Sequence, residues 1–492
     1  GNSIMSKIEV DAITEQSGST LTTGGGAGKT VVVDATTVTL GRCGGTVALA
    51  SGASQTGFGR TGTVDWQTSS IKTATFTAAN GEGYFCNTTS GGFTVNLPAG
   101  SAGAIVSVSD YTRTFATNTL TITPNGSEKI GGVAGNLVLD VNGQAITLVY
   151  VDGTEGWINI QNAEDTETGI TPAFVAATGG TITTVCTNFK VHTFTSPGTF
   201  CVTNAGNAAG SNQLSYMVVA GGGGGGGTNK PSGPYSAGGG GGAGGFREGK
   251  SPQTPYTASP LVTTALTASA GATSISIGGG GAGGPGTGRG TSGSPSTFLT
   301  ITSAGGGGGG ARCAPLSTGL DGGSGGGGGA PCTSTAAPGG SGNTPVVNPA
   351  QGKDGGAGAT PYPSNAANGG GGGGATVVGT DFITPFPNSG GGPGGAGATT
   401  SINGSPTAFS GGGGGGVYRC GAGGTLGSGT GGTGGGGPGG PGASSTSPGN
   451  GQNGTTNVGG GGGGGSTIGA DGSGRGGGSG GSGIVIIRYK FQ

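Results

Sequence analysis

The pattern of apolar and polar residues changes character near Ala220. Upstream, Ile8, Val10 and Ala12 alternate with polar neighbours, and residues 30–40 are rich in Val and Thr. Short apolar stretches follow at 71–77, 93–97, 104–108, 120–123, 137–141 and 145–151, separated by Asn, Gly, Asp and Pro. Strand-forming residues between turn formers at this spacing predict an all-β region. No stretch keeps a 3.6-residue period, so no substantial α-helix is expected. Residues 73–163 carry Tyr84, Phe85, Phe93, Tyr111, Tyr150 and Trp157, enough apolar bulk for one small β-sandwich. Residues 1–72 read as fibrous β segments, a strand-rich shaft too thin to bury a face alone. Packing against identical copies would complete them, which predicts a homotrimer. Residues 164–212 read as a linker followed by a β segment.

Downstream, over 213–492, glycine replaces alternation. Pure runs occur at 221–227, 305–310, 325–329, 369–374, 411–416 and 459–465. Between them lie runs with a period of three: Pro393 and Ala396 in GGPGGAG, Pro438 and Pro441 in GGPGGPG, Ser479 and Ser482 in GGSGGSG. Three residues per turn is the period of the left-handed polyproline II helix. In a GGx run that geometry lines every x along one face, leaving two glycine faces for neighbouring helices. Pure runs are therefore expected inside a sheaf of polyglycine II helices and GGx runs outside it. The apolar stretch 484–489 closes this region and is expected to pair with 214–219. Each run must reverse direction, so the connections collect at two ends. Residues 228–237 are expected at the end far from the strands, and 312–321, 360–367 and 376–389 are further long, varied connections.

Composition sharpens this picture. The chain has 133 glycines in 492 residues, against an average near 7 %, so one ordinary core cannot run its whole length. The formal net charge is −1, which offers no electrostatic footprint for nucleic acid. No run of 18 apolar residues is present, so membrane insertion is not expected. The seven cysteines show no zinc spacing; the pairs Cys186–Cys201 and Cys313–Cys332 can each be bridged or free. The stretch GGGAGKT at 24–30 mimics a nucleotide-binding loop, but Thr23 stands where that motif needs glycine, and Val31, Val32 and Val33 signal a strand rather than a helix. His192 is the single histidine, so any nucleophilic triad would rest on this one strand residue, which reads as a structural histidine, and no carboxylate pair stands out. The chain is expected not to be an enzyme and to need no cofactor or metal.

The stretches YMVVAGGGGGGG at 216–227, GGAGGFRE at 241–248, SISIGGGGAGG at 274–284 and the closing GGSGIVIIRY resemble the glycine-rich domain common in phage tail proteins. They are similar to the tip adhesins of T-even-type phages, and residues 83–160 resemble a β domain of marine phage tail fibres. The T-even adhesin is a separate chain capping a fibre, whereas here fibre-like β segments precede the glycine region. The resemblance implies a virion tail fibre protein, outside the cell, that joins other virion tail proteins. It also implies attachment to a host surface glycan or outer-membrane protein through loops between glycine motifs. Exposed aromatics on a rigid scaffold suit recognition. Tyr235, Tyr362, Phe382 and Phe386 are the candidate receptor-binding residues, and Tyr256 and Tyr418 lie in similar loops. The alternative is a structural protein of a cellular appendage or extracellular filament; ice binding is disfavoured by the mixed outer positions.

Overall fold

The computed structural model describes residues 64–161 and 172–492, except 209, 229–235, 313–314, 333–334, 360–366, 384–389, 420–426, 442–448 and 469–474. The strands expected at 8–12 and 30–40 lie outside the described residues. Among the described residues there is no α-helix, and the fold is all-β with a glycine sheaf.

In the first part the chain shuttles between two sheets. β1 (Asp65–Trp66), β3 (Glu82–Cys86) and β5 (Ile105–Asp110) stack in parallel in one sheet. β2 (Phe76–Thr77), β4 (Phe93–Asn96) and β6 (Leu120–Thr123) stack in parallel in the other. Each round trip is one coil of a short solenoid. β7 (Leu137–Leu139), β8 (Ala145–Asp152) and β9 (Gly156–Asn159) then close the two sheets with antiparallel pairs. Parallel neighbours need a long crossover, and here the strand in the opposite sheet is that crossover. Val95, Val106, Val108, Leu120, Ile122, Leu148 and Trp157 fill the space between the sheets.

The glycine region stands on two further sheets. One runs β11 (Thr181–Val185), β12 (Phe189–Phe194), β25 (Ile484–Lys490), β14 (Gln213–Val219), β15 (Phe246–Lys250), β16 (Val262–Thr264), with β17 (Leu266–Thr267) also on β14. The other runs β10 (Val175–Thr178), β13 (Gly198–Ala205), β18 (Gly271–Ser276), β19 (Ser296–Phe298), β20 (Ile301–Ser303). Thus β10–β13, placed by sequence in a separate segment, pair directly with strands of the glycine region. The expected pairing of 484–489 with 214–219 is present, antiparallel from Ser215↔Arg488 to Val219↔Ile484. These two strands read as continuous apolar runs because both faces are buried. Tyr216, Val218, Val485 and Ile487 pack with Phe200 and Phe298, while Met217, Val219, Ile484 and Ile486 pack with Phe246 and Phe409.

Residues 221–227 leave β14 and show how the sheaf is built. Gly221, Gly224 and Gly227 donate to the carbonyls of Ser294, Thr291 and Gly288; Gly222 and Gly225 donate to Gly481 and Gly478; Gly223 and Gly226 donate to Gly242 and Gly239. Every third N–H reaches the same neighbour, as a helix of three residues per turn requires. The carbonyls rotate likewise: Gly221 and Gly224 accept from Gly306 and Gly309, Gly222 and Gly225 from Gly281 and Gly284, Gly223 and Gly226 from Gly462 and Gly465. One run is thereby ringed by others, donating to runs that return towards the base and accepting from runs that leave it. Residues 221–227, 324–330, 410–417 and 460–466 are buried throughout, whereas Pro438, Pro441 and Ser479 are exposed and Pro393, Ala396 and Ser482 are half-buried. These pure runs lie inside, and the x positions named from the period of three lie at or towards the outside. β21 (Ala398–Thr400) with β22 (Thr407–Phe409) forms a hairpin at the base end, and β23 (Tyr418–Arg419) pairs with β24 (Thr467–Ile468) at the other end.

Candidate functional site at the distal end of the sheaf

Outgoing and returning runs alternate strictly. Residues 221–227 leave the base and 238–245 return to it as β15; 278–284 leave and 289–294 return as β19. At the base end the chain turns tightly, as at Gly434 and Gly435, both at φ 96°, passes into strands, or makes the strand-free connection 344–350. Further connections of varied sequence gather at the opposite end. Their anchors are locked in pairs: Thr228 with Arg475, Ala237 with Ser466, Ile383 with Gly390, and the Ala359 N–H with the Asn368 carbonyl at 2.8 Å. Arg289, just past a turn closed by the Gly288 N–H on the Pro285 carbonyl, donates to the carbonyls of Pro315 and Leu316 at 2.6 and 3.3 Å. That contact ties two neighbouring distal connections together.

The expected distal position of 228–237 agrees with this alternation. Two other expected loops are shorter than the sequence suggested. Residues 316–323 are a returning run: the Leu320 N–H donates to Gly308 and the Gly323 N–H to Gly305. Residues 378–383 are an outgoing run, with the Gly379 N–H on Asp354 and the Phe382 N–H on Ala357. Only 312–315 and 384–389 connect runs there. The run 378–383 carries a single glycine because it lies at the margin, and there Gly379 alone is buried. For the missed run 351–358 a signal existed in Gly352, Gly355 and Gly358, spaced by three.

Among the candidate residues, Tyr235, Tyr362 and Phe386 lie outside the described residues. Their connections are anchored at Thr228 and Ala237, Ala359 and Asn368, and Ile383 and Gly390. Phe382 is half-buried, one residue before the exposed Ile383, at the end of an outgoing run. Tyr418 is buried with Ala237, Ala330 and Ala367, capping the ends of inner runs. Tyr256 belongs to the base: the Arg488 guanidinium sits 5.2 Å from its ring centre, and burial together with the Glu248 carboxylate pushes its phenol well up. Tyr256 and Tyr418 therefore hold the scaffold. His192 is buried, with Nδ1 at 2.7 Å from the Gly179 carbonyl and Nε2 at 2.9 Å from the Tyr489 hydroxyl, so both ring nitrogens are engaged. Among the described residues no group of three or more His, Cys, Asp or Glu could hold a metal ion. Cys86, Cys186 and Cys201 are free thiols, so Cys186 and Cys201 are not bridged. Cys332, next to the distal end, is disulfide-bonded, with a partner outside the described residues.

Residues 195–490 match a family described as a glycine-rich domain. No curated protein matches the chain.

Proposed function

The chain belongs to the glycine-rich domain family, and we propose that it is a virion tail fibre protein that attaches the particle to a host-cell surface through the connections at the distal end of its sheaf. The observation that carries this reading is the alternation of runs, which brings long connections of varied sequence to the end opposite the base sheets. Rigid anchors reduce the ordering entropy lost on binding, which suits a receptor-contact surface better than a spacer. In this reading the protein is a non-catalytic homotrimer joined to other tail proteins, and its receptor is a surface glycan or outer-membrane protein. Native mass spectrometry should give three times the 45.3 kDa chain mass; a monodisperse monomer contradicts the trimer. The test of attachment replaces 229–235 and 384–389 with Gly/Ser segments of equal length. The exchanged protein keeps its melting temperature, because loops on a rigid scaffold tolerate change, and its adsorption to host cells falls about tenfold or more, roughly 1.4 kcal/mol. Unchanged adsorption by folded, exchanged protein removes the distal end from recognition.

A further inference from the structure

The two base sheets leave one corner unfilled. β14 and β17 pair at Leu214↔Leu266 in one sheet, and residues 268–270 then carry the chain across to β18 in the other, where Val202↔Gly271 and Phe200↔Thr273 pair β13 with β18. At this crossing lies a cavity of about 260 Å³. Its floor is apolar: Phe200 and Leu214 are 1 % exposed, Val202 is 5 % exposed, and Leu266 packs beside them. Edge-on contacts with His192 and Phe298, ring centres 5.1 and 5.9 Å away, hold the Phe200 ring in place. Two departures from ordinary strand chemistry keep the corner open. Side chains paired across an antiparallel ladder share a face, so position 271 faces the cavity with Val202. It is glycine, and a Cβ built there meets nothing within 4 Å. Its φ is +133°, where a side chain is strained, so the backbone itself resists filling. Leu299 turns the β19–β20 hairpin at φ 50°, a region costly for a bulky residue. Its side chain is 47 % exposed, so little burial offsets that strain; what it does there is wall the cavity. A strained residue at such a mouth points to function.

The lining selects the ligand. Among the described residues that line the cavity none is charged, so an ion entering it would lose its hydration without gaining a partner. The hydroxyls of Thr267, Ser269, Thr273 and Thr300 border the apolar floor, and among the described residues none of them is engaged by another protein group. An apolar body with a few polar groups at its edge is what such a lining accommodates. A dry apolar cavity of about 150 Å³ takes up benzene, so this one has room for a ring that carries a substituent. We propose that the corner binds a small uncharged molecule with an apolar ring and one hydroxyl or N–H, the chemistry of phenols and indoles. The ring lies on Phe200, Val202 and Leu214, and the polar group meets the bordering hydroxyls. The site is built from the base sheets and not from the distal connections, so it stands or falls separately from receptor attachment.

The full chain is titrated with p-cresol, with indole and, as the charged counterpart, with benzoate. Binding is followed by saturation-transfer NMR on the small molecule and by the calorimetric midpoint. At least one of the two neutral probes should saturate, and at ten times its Kd it should raise the midpoint by roughly 3–6 °C. Benzoate should bind about tenfold more weakly or worse, because its charge finds no partner in the lining. Leu299→Gly removes the wall and relieves the backbone, so it melts no lower than the parent, yet it should bind about fivefold to tenfold more weakly. Leu299→Asn, which tolerates the same backbone region, should weaken binding alike; a merely structural leucine would leave affinity unmoved in both. The protein with Gly/Ser at 229–235 and 384–389 binds the probe as the parent does. No saturable binding of either neutral probe overturns the proposal. So does benzoate binding as tightly as p-cresol, parental affinity in the Leu299 variants, or loss of binding in the loop-exchanged protein.

Discussion

Gly279 and Gly307 both lie in outgoing runs of the sheaf, and adding one methyl group should move their stabilities in opposite directions. Gly279 is exposed, and a Cβ built on it has nothing within 4 Å. Its φ is not in the left-handed region, so alanine fits without strain. Gly279→Ala then acts on the unfolded chain, reducing its entropy and stabilising the protein by about 0.4–1 kcal/mol. Gly307 is buried; its N–H donates to Ser324 and its carbonyl accepts from Gly242, each at 2.8 Å. A Cβ there would collide with the Leu320 carbonyl oxygen, and would lie 2.7 Å from the Leu320 carbonyl carbon and 3.0 Å from the Gly326 nitrogen. Those atoms are themselves bonded, Gly326 N–H to Leu320 carbonyl at 2.9 Å. Making room breaks that bond and strains the two on Gly307, at about 1 kcal/mol each, and overpacking adds about 1–3 kcal/mol. After the unfolded-chain gain is subtracted, Gly307→Ala is destabilising by about 3–5 kcal/mol. At about 2–4 °C per kcal/mol for a unit of this size, calorimetry of the full chain should show the midpoint lowered by roughly 10 °C. Gly279→Ala should sit a degree or two above the parent. Leucine at Gly307, or at Gly413, whose Cβ would meet the Gly462 carbonyl, should abolish folding of the glycine region, while Ser479→Leu at an exposed x position should be tolerated. Equal midpoints for Gly279→Ala and Gly307→Ala would refute the layered packing.

Two further outcomes follow from buried polar groups. Burial lowers the pKa of His192 below the ordinary 6.5, so below that pH the unfolded chain takes up a proton that the folded chain refuses, and stability falls as pH falls. The urea midpoint should drop between pH 7 and pH 5, and the drop should shrink in His192→Gln; an undiminished drop in that variant assigns the effect elsewhere. Arg488 is 1 % exposed; it stacks on Phe189 and Tyr256 and donates to the carbonyls of Ser401, Ile402 and Pro255. Arg488→Met restores the volume but orphans those carbonyls, so about 2–4 kcal/mol should be lost in thermal melts, and a melt equal to the parent's would show that packing alone matters there.

The sequence was legible where a residue type answers one physical demand. The apolar runs 214–219 and 484–489 have no polar face, so they had to be buried on both sides, and each found the other. Pro438, Pro441 and Ser479 recur by threes because a side chain fits one face of the helix, and that face is the exposed one. Legibility failed where the demand was weak. Residues 378–383 touch few neighbours, so Val378, Asp381 and Ile383 are accepted as exposed side chains and the run reads as a loop. Tyr256 and Tyr418 looked like loop aromatics because nothing local distinguishes an aromatic that packs from one that faces water. Arg488, distant in sequence, and the alanines at Ala237, Ala330 and Ala367 decide the matter. In the solenoid the turn residues marked where strands end, but parallel and antiparallel ladders use the same strand residues, so the coil order was invisible.

The position of β25 gives the sheaf its all-or-none character. Fixing one residue costs about 1–2 kcal/mol of backbone entropy, with glycine at the expensive end, and one backbone hydrogen bond returns about 0.5–1.5 kcal/mol net. A lone glycine run therefore gains nothing by ordering. Residues 221–227 order because neighbours surround them, and two of those neighbours, 459–466 and 475–483, come last along the sheaf. Residues 475–483 lead directly into β25, which sits between β12 and β14 in the base sheet. The first run thus lacks part of its ring, and β14 lacks its central partner, until the last run has docked. Every intermediate with fewer runs is short of contacts at its centre as well as its margin. Thr228 at the end of the first run pairs with Arg475 at the start of the last, and Ala237 pairs with Ser466, so these distal anchors, too, are fixed only when the last runs have docked.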